Sequence, residues 1–228
     1  SSKKELVFLL LTAILITINW GCYILAVNLG RVVEASMGYF LSPVINMLGG
    51  YFFFHERISK LKQLAVLFAT IGSLYYVFSG DSFPWLGFIV GFTFAAYGIA
   101  RKAMASSALP GLYIETLILL PFFLIFSVWF YLNYDVSFLN IDVSTDILLF
   151  LAGAVTVIPL ALFNAGAKLL PMTTVGILFL ITPTIQFLIG YYLQNELVNS
   201  NQLIGFIGVW AGLIIYCYCL MKENSNFK

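Results

Sequence analysis

The chain has 228 residues, of which 61% are hydrophobic and only 9% are charged, and its mean hydropathy is +0.99. Soluble domains carry about 25% charged residues, so this composition excludes an ordinary soluble domain and indicates a membrane protein. The formal net charge is only +1, which leaves no basic field to attract a nucleic acid. We therefore expect the lipid bilayer and a small molecule as partners, and no nucleic acid.

Eight apolar segments follow one another along the chain, separated by charged residues, Gly, Pro or Asn. Each segment has a length that can cross a bilayer as a helix. The predicted helices are A (5–28), B (35–54), C (61–78), D (85–104), E (111–132), F (145–169), G (173–194) and H (201–221). Because they use most of the chain, the function must reside among the helices.

The positive charges predict the orientation. When the eight segments are threaded alternately across a bilayer, one side receives all of the Lys and Arg residues except Arg31. The residues on that side are Lys3, Lys4, Arg57, Lys60, Lys62, Arg101, Lys102, Lys168, Lys222 and Lys228. Loops rich in Lys and Arg remain in the cytoplasm. We therefore expect a multi-pass protein of the cytoplasmic (inner) membrane with both ends of this chain on the cytoplasmic side.

Helices B and G are similar to each other at an offset of 140 residues. The matching pairs are Pro43 and Pro183, Ile45 and Ile185, Leu48 and Leu188, Gly50 and Gly190, Tyr51 and Tyr191, and Glu56 and Glu196. A period of five helices is odd, so the two copies enter the membrane from opposite sides, as in many secondary transporters. The predicted domains are residues 1–79, the last three helices of a first repeat, and residues 80–228, a complete second repeat. The first two helices of the first repeat are expected upstream.

Several short stretches resemble the RarD family of EamA-type permeases, in the drug/metabolite transporter superfamily. They include Asn-Trp at 19–20, Ala-Val-Asn at 26–28, Glu-Ala-Ser-Met-Gly-Tyr-Phe at 34–40, Glu-Arg at 56–57, Ala-Tyr-Gly-Ile-Ala-Arg-Lys at 96–102, Ile-Glu-Thr-Leu at 114–117, Val-Thr at 155–156 and Pro-Leu at 159–160. The resemblance implies a ten-helix permease whose substrate cavity lies between two five-helix halves. The family is named for chloramphenicol sensitivity, which makes such a drug or a metabolite the expected kind of solute.

Ionisable residues inside membrane helices are costly, so each needs a partner or a task. Glu115 and Arg101 lie about one turn inside the same end of neighbouring helices E and D. We expect them to form an ion pair; the alternative is that Glu115 is a proton or substrate site. Glu34 is either a solvated carboxylate near Arg31 or part of an outer gate.

Polar and aromatic residues of the helices form the candidate substrate site, although each can equally serve helix packing. The predicted substrate-binding residues are Asn19, Trp20, Asn28, Glu34, Ser36, Tyr39, Asn46, Tyr97, Glu115, Thr116, Asn164 and Gln186. Prolines within helices produce kinks, so Pro43, Pro159 and Pro183 are predicted hinges. Small residues such as Gly208 and Gly212 on helix H permit close packing within the chain, or a homodimer seam on that helix.

Catalytic patterns are absent from the sequence. With His55 as the single histidine, neither a zinc cluster nor a His-based triad can be built, and no phosphate-binding loop motif is present. We expect no enzyme activity, no cofactor and no metal. The favoured function is a permease that moves a small organic solute by alternating access. The alternatives are a non-transporting scaffold or assembly subunit, and a truncated, inactive permease.

Overall fold

The computed structural model describes residues 3–79, 83–135, 138, 140–193 and 200–225, without the side chains of residues 36, 37, 202, 224 and 225. This part of the chain is all-helical, as predicted. Its helices are α1 (Lys3–Asn28), α2 (Val32–Tyr39), α3 (Ser42–Phe54), α4 (Lys60–Phe78), α5 (Trp85–Ala103), α6 (Ala108–Asn133), α7 (Val143–Leu169), α8 (Met172–Phe179), α9 (Ile181–Leu193) and α10 (Ser200–Ser225).

Within the described residues, six helical stretches are long and apolar enough to cross a membrane. They are Lys3–Asn28, Lys60–Phe78, Ala108–Asn133, Val143–Leu169, Met172–Leu193 and Leu203–Glu223. The protein is therefore a multi-pass membrane protein. Predicted helices B and D are not among the six, so the count of eight spans stays a prediction.

Predicted helices B and G are each two helices, which differs from the continuous segments expected from the sequence. The first breaks after Tyr39 and the second after Phe179. A proline ring within a helix collides with the carbonyl group four residues earlier and supplies no N–H for it. Four residues before Pro43 and Pro183 are Tyr39 and Phe179, so each break lies at the carbonyl group with which a proline ring would collide.

The chain forms two compact units, and the second unit contains Leu15–Ile99 and Leu170–Lys228. In this unit, α2 packs against α9 and α3 packs against α8. The first half of one broken helix therefore lies against the second half of the other, which makes the two broken helices antiparallel. The most extensive contact of the unit joins α4 and α10.

Glycines bring α4 and α10 into backbone contact. A side chain at Gly72 would collide with the backbone at Gly205, Gly208 and Val209, and one at Gly212 would collide with the backbone of α4. The glycine face of α10 thus packs within the chain, as small residues do at membrane helix interfaces. A homodimer would have to use another face of this helix.

An aromatic cluster fills the core of the second unit. Phe40, at the break between α2 and α3, lies 5.1 Å from the Tyr76 ring and 5.0 Å from the Phe206 ring, in edge-to-face geometry. Phe187 lies 4.2 Å from Phe206. Edge-to-face and tilted ring pairs are the favoured arrangements of aromatic side chains, so the break is supported by specific packing.

The first unit contains Ser1–Ile14 and Ala100–Leu169 and includes α6 and α7. Most large apolar side chains of these two helices are exposed; Phe150, for example, is 84% exposed. In water such surfaces would aggregate, whereas lipid tails cover them favourably. The buried residues of α6 are Gly111, Leu112 and Glu115, near the start of the helix.

Candidate functional site

A cavity of 210 Å³ lies beside the break that ends α2, inside the second unit. Its lining residues are Asn19, Trp20, Tyr23, Tyr39, Phe94 and Gln186. They come from α1, from the last residue of α2, from α5 and from the second turn of α9. Broken membrane helices are a frequent setting for substrate sites, because the interrupted backbone is tolerated only where it faces protein or a cavity.

Aromatic rings form most of the cavity wall. The Tyr39 ring lies 6.4 Å from Tyr23, 5.9 Å from Phe94 and 5.4 Å from Phe179. Phe94 and Phe179 are stacked at 4.7 Å. Tyr39 and Phe179 are the residues at which the two broken helices end. The two breaks therefore meet at one aromatic cluster.

Two side-chain amides supply the polar part of the wall. The Asn19 amide nitrogen donates to the Val90 carbonyl at 2.6 Å and to the Thr93 hydroxyl at 3.1 Å, which fixes α1 against α5. The Gln186 amide nitrogen donates to the Tyr23 hydroxyl at 3.3 Å. The Gln186 Oε1 atom is buried and has no hydrogen-bond partner among the described residues.

Larger hollows also occur. One of 420 Å³ at the end of α3 combines Tyr51 and Gln63, but its wall also contains the charged Glu56 and Arg57. Two others are mainly apolar. One of 540 Å³ is bounded mainly by residues of α3 and α4, and one of 520 Å³ by residues of α6 and α7. Many of their lining side chains are apolar and exposed, including Leu67 and Leu162. Such hollows suit lipid tails better than a solute that requires hydrogen bonds.

Other predicted site residues of the second unit lie away from the cavity wall. Asn46 is buried, and a Cβ atom at Gly176 would contact it, so it lies between α3 and α8. Tyr97 is buried on α5, and Asn28 is exposed at the end of α1. The Ser36 side chain lies outside the described residues.

Glu34 lies at the start of α2 and binds groups of the protein itself. Its carboxylate is 2.6 Å from the Arg31 guanidinium and accepts the Leu86 N–H at 3.3 Å. The second contact joins the start of α2 to the start of α5. The carboxylate lies near Arg31, but its side chain is only 13% exposed, so it is less solvated than expected; both the solvated-carboxylate and the gate interpretation stay predictions.

Arg101 and Glu115 lie together in the first unit. The Arg101 Nη1 is 3.3 Å from Glu115 Oε1, and both side chains are almost fully buried. The Thr12 hydroxyl also donates to Glu115, and Arg101 Nη2 donates to the Ala108 carbonyl at 2.7 Å. A side chain at Gly111 would collide with the guanidinium, so glycine makes room for the pair.

The remaining candidates of the first unit have different surroundings. Thr116 is exposed, and its hydroxyl donates to the Leu112 carbonyl in its own helix. Asn164 is fully buried on α7. Lys168, one turn further along α7, donates to the Met104 carbonyl at 2.7 Å. These contacts are structural, and the substrate role of Thr116 and Asn164 stays a prediction.

Glu56 was not among the predicted site residues, yet it joins the two broken helices. Its carboxylate accepts the Met172 N–H at 2.7 Å, and the Thr173 N–H and hydroxyl at 3.2 Å each. A carboxylate at a helix N-terminus satisfies unpaired N–H groups and opposes the helix dipole. Glu56 therefore fastens the end of α3 to the start of α8. Its place in the repeated Pro-to-Glu pattern was the available signal.

The cavity also contains two residues that the sequence did not single out, Tyr23 and Phe94. Aromatic residues make up 17% of the chain, so their type alone carried no signal. Tyr23 could have been predicted from its spacing, because it lies four residues after Asn19 and therefore on the same face of α1. Within the described residues, no group of three or more His, Cys, Asp or Glu side chains could hold a metal ion.

A multi-pass helical protein with a small polar and aromatic cavity beside broken helices has the architecture of a membrane transporter. Comparison with known proteins identifies which kind. Residues 1–78 match the EamA-like transporter family. The uncharacterized transporter YojE of Bacillus subtilis is 37% identical over 100% of this chain and 76% of its own length. RarD of Escherichia coli is 34% identical over 94% of this chain and 73% of its own length.

The chain therefore belongs to the RarD family of EamA-like transporters, in the drug/metabolite transporter superfamily, as the sequence motifs indicated. A more distant relative, the chloramphenicol-sensitive protein RarD of Pseudomonas aeruginosa, is 29% identical over 90% of this chain and 68% of its own length. The family consists of transporters, so this chain is not an enzyme.

Proposed function

We propose that this protein is a permease that carries a small organic solute across the cytoplasmic membrane by alternating access, and that the 210 Å³ cavity holds the solute. The observation that carries the proposal is the meeting of two broken helices at a cavity with aromatic and amide walls. In secondary transporters, solutes bind where repeated, interrupted helices meet.

The helix bounds support an inverted repeat with eight spans in this chain. Helices α2 and α8 are both eight residues long, and each is followed by a second helix that contains the repeated proline. Helices α2 and α8 begin 140 residues apart, at Val32 and Met172. This is the offset at which the sequences of helices B and G match.

The crossed packing supports alternating access. The contact of α2 with α9 corresponds, under the repeat, to the contact of α8 with α3. Two equivalent halves can exchange conformations, so that a site between them faces one side of the membrane and then the other. Glu56 fastens one of these contacts at the start of α8, and in the proposed cycle this contact would have to open.

The distribution of Lys and Arg supports a cytoplasmic position for both ends of this chain. A cysteine at Ser59 should react with a membrane-impermeant thiol reagent in inside-out vesicles and not in right-side-out vesicles, once Cys22, Cys217 and Cys219 are replaced. The opposite labelling pattern would contradict this orientation.

Uptake by proteoliposomes tests the transport proposal. The purified protein should accumulate at least one solute of a small-molecule panel above empty liposomes, with chloramphenicol tested first because a relative bears its name. Tyr39→Ala removes a ring of the cavity and should lower uptake. Tyr113→Ala is the matched control, because Tyr113 is 66% exposed on α6 and lies outside the cavity. Uptake of no solute, or equal loss in both variants, would contradict the proposal.

A further inference from the structure

The walls of the cavity carry no formal charge. Among the described residues that line it, none bears a carboxylate, ammonium, guanidinium or imidazole group. An ion taken from water into such a site loses its hydration and gains no counter-charge, which makes its binding unfavourable. An uncharged molecule loses far less, so the wall disfavours anions, and it disfavours cations to the extent that their lost hydration exceeds the cation–π attraction of the rings.

The size of the cavity and the rings in its wall favour a ligand with a single aromatic ring. Its volume of 210 Å³ is below the about 300–1,000 Å³ typical of pockets for drug-sized ligands. Trp20, Tyr23, Tyr39 and Phe94 present rings on several sides. Aromatic rings pack against another ring in offset-stacked or edge-to-face geometry, both of which this arrangement permits.

Gln186 sets the hydrogen-bonding requirement. Its amide nitrogen is already engaged with Tyr23, whereas its Oε1 atom is buried without a partner among the described residues. A buried acceptor without a donor is costly, so a ligand that donates an N–H or O–H group to it gains stability. The nitrogen of Asn19 is engaged with Val90 and Thr93, and of the two amide oxygens in the wall it is Gln186 Oε1 that is buried without a partner among the described residues.

We propose that the cavity binds an uncharged, single-ring aromatic molecule that donates a hydrogen bond to the Gln186 Oε1 atom, as an aromatic carboxamide does. This inference rests on the proposed function, because the bound molecule is a transport substrate only if the protein is a permease. Gln186 is therefore the residue that determines specificity: its neutral amide selects a neutral ligand, and a charged side chain at this position would select a ligand of opposite charge.

Three probes of one shape separate the alternatives. Benzamide, benzamidinium and benzoate share a ring and a planar head group but are neutral, positive and negative at neutral pH. A ligand that binds the folded state raises the thermal midpoint of the protein. In detergent micelles, benzamide should raise the midpoint of the wild-type protein, whereas benzamidinium and benzoate should not.

Gln186→Glu should reverse this preference, since a carboxylate supplies the counter-charge for benzamidinium. Gln63→Glu makes the same chemical change on α4, away from the cavity, and should leave the preference for benzamide intact. Gln186→Leu introduces no buried charge and therefore serves if Gln186→Glu does not fold. It should weaken benzamide binding by about tenfold, the upper range for one neutral hydrogen bond.

The proposal is overturned if benzamide does not stabilise the wild-type protein, if a charged probe stabilises it as much, or if Gln186→Leu binds benzamide as well as the wild type. The binding result is independent of transport. Benzamide binding with no solute uptake would refute the permease proposal alone, and uptake restricted to charged solutes would refute this inference alone.

Discussion

The guanidinium of Arg101 is removed from solvent and lies 3.3 Å from the Glu115 carboxylate. Both side chains are buried, and the backbone of Gly111 leaves the space that the guanidinium fills. Removing one partner of a buried ion pair leaves an uncompensated charge, which costs about 3–5 kcal/mol. Removing both charges avoids that cost.

We therefore expect Glu115→Gln and Arg101→Gln each to lower the yield of folded protein, and the double variant to recover most of it. Size-exclusion profiles of the detergent-extracted protein measure this. The pair Lys62 and Glu223 is a matched control, because it lies at 2.6 Å but is partly exposed, and exposed pairs contribute only about 0–1 kcal/mol. Wild-type yield in both single variants would contradict a structural role for the buried pair.

If Glu115 is instead a proton site, the double variant should fold well and lose the pH dependence of transport. Wild-type transport with a wild-type pH response in Glu115→Gln would refute both roles. The two readouts, folded yield and pH response, therefore separate the alternatives that the sequence left open for this residue.

At the scale of the helices, Gly72 determines how closely α4 and α10 approach. A Cβ atom at this position would collide with backbone atoms of α10, and backbone cannot move aside as a flexible side chain can. We expect Gly72→Ala to destabilise the protein by about 1–3 kcal/mol, the usual cost of overpacking. A thermal melt of the purified protein measures the change.

Gly153→Ala is the control for helix propensity. Gly153 lies on α7, and among the described residues no atom from outside its own stretch of helix backbone lies within 4 Å of the place that a Cβ atom would take. Alanine favours a helix over glycine by up to about 1 kcal/mol, so this variant should be as stable as the wild type or more so. Equal behaviour of the two alanine variants would show that α4 and α10 do not require close contact.

The helices themselves were predictable from the sequence, because apolar runs ended by charged or helix-breaking residues have few alternatives in a membrane. Predicted helix C (61–78), for example, became Lys60–Phe78. The two breaks were not predictable, since Pro121 and Pro159 also lie within apolar segments but leave α6 and α7 continuous. Whether a proline breaks its helix depends on the side chains that pack beside it. At the first break, the rings around Phe40 provide this packing.

The candidate site was predictable only in part, because the contacts of a polar side chain also depend on what packs beside it. Asn19 and Gln186 are polar residues within apolar helices, which marks them in the sequence, and both line the cavity. Asn46 has the same mark but lies buried between α3 and α8. A sequence identifies a buried amide, whereas its partner depends on tertiary packing.

At the scale of the whole molecule, the repeat places one proline at the equivalent position of each broken helix. Pro43 and Pro183 lie 140 residues apart, each in the first turn after a break. If the two halves exchange conformations, the two breaks are equivalent hinges, and closing either one should slow the exchange. Pro121 lies inside a continuous helix and has no such role.

We therefore expect Pro43→Ala and Pro183→Ala to lower solute uptake by similar factors while the protein remains folded, because alanine restores the N–H that bridges each break. Pro121→Ala should leave uptake close to that of the wild type. Initial uptake rates in proteoliposomes, normalised to the amount of folded protein, measure the effect. A loss in only one of the two repeat-related variants would contradict equivalent hinges, because a symmetric exchange needs both breaks to bend.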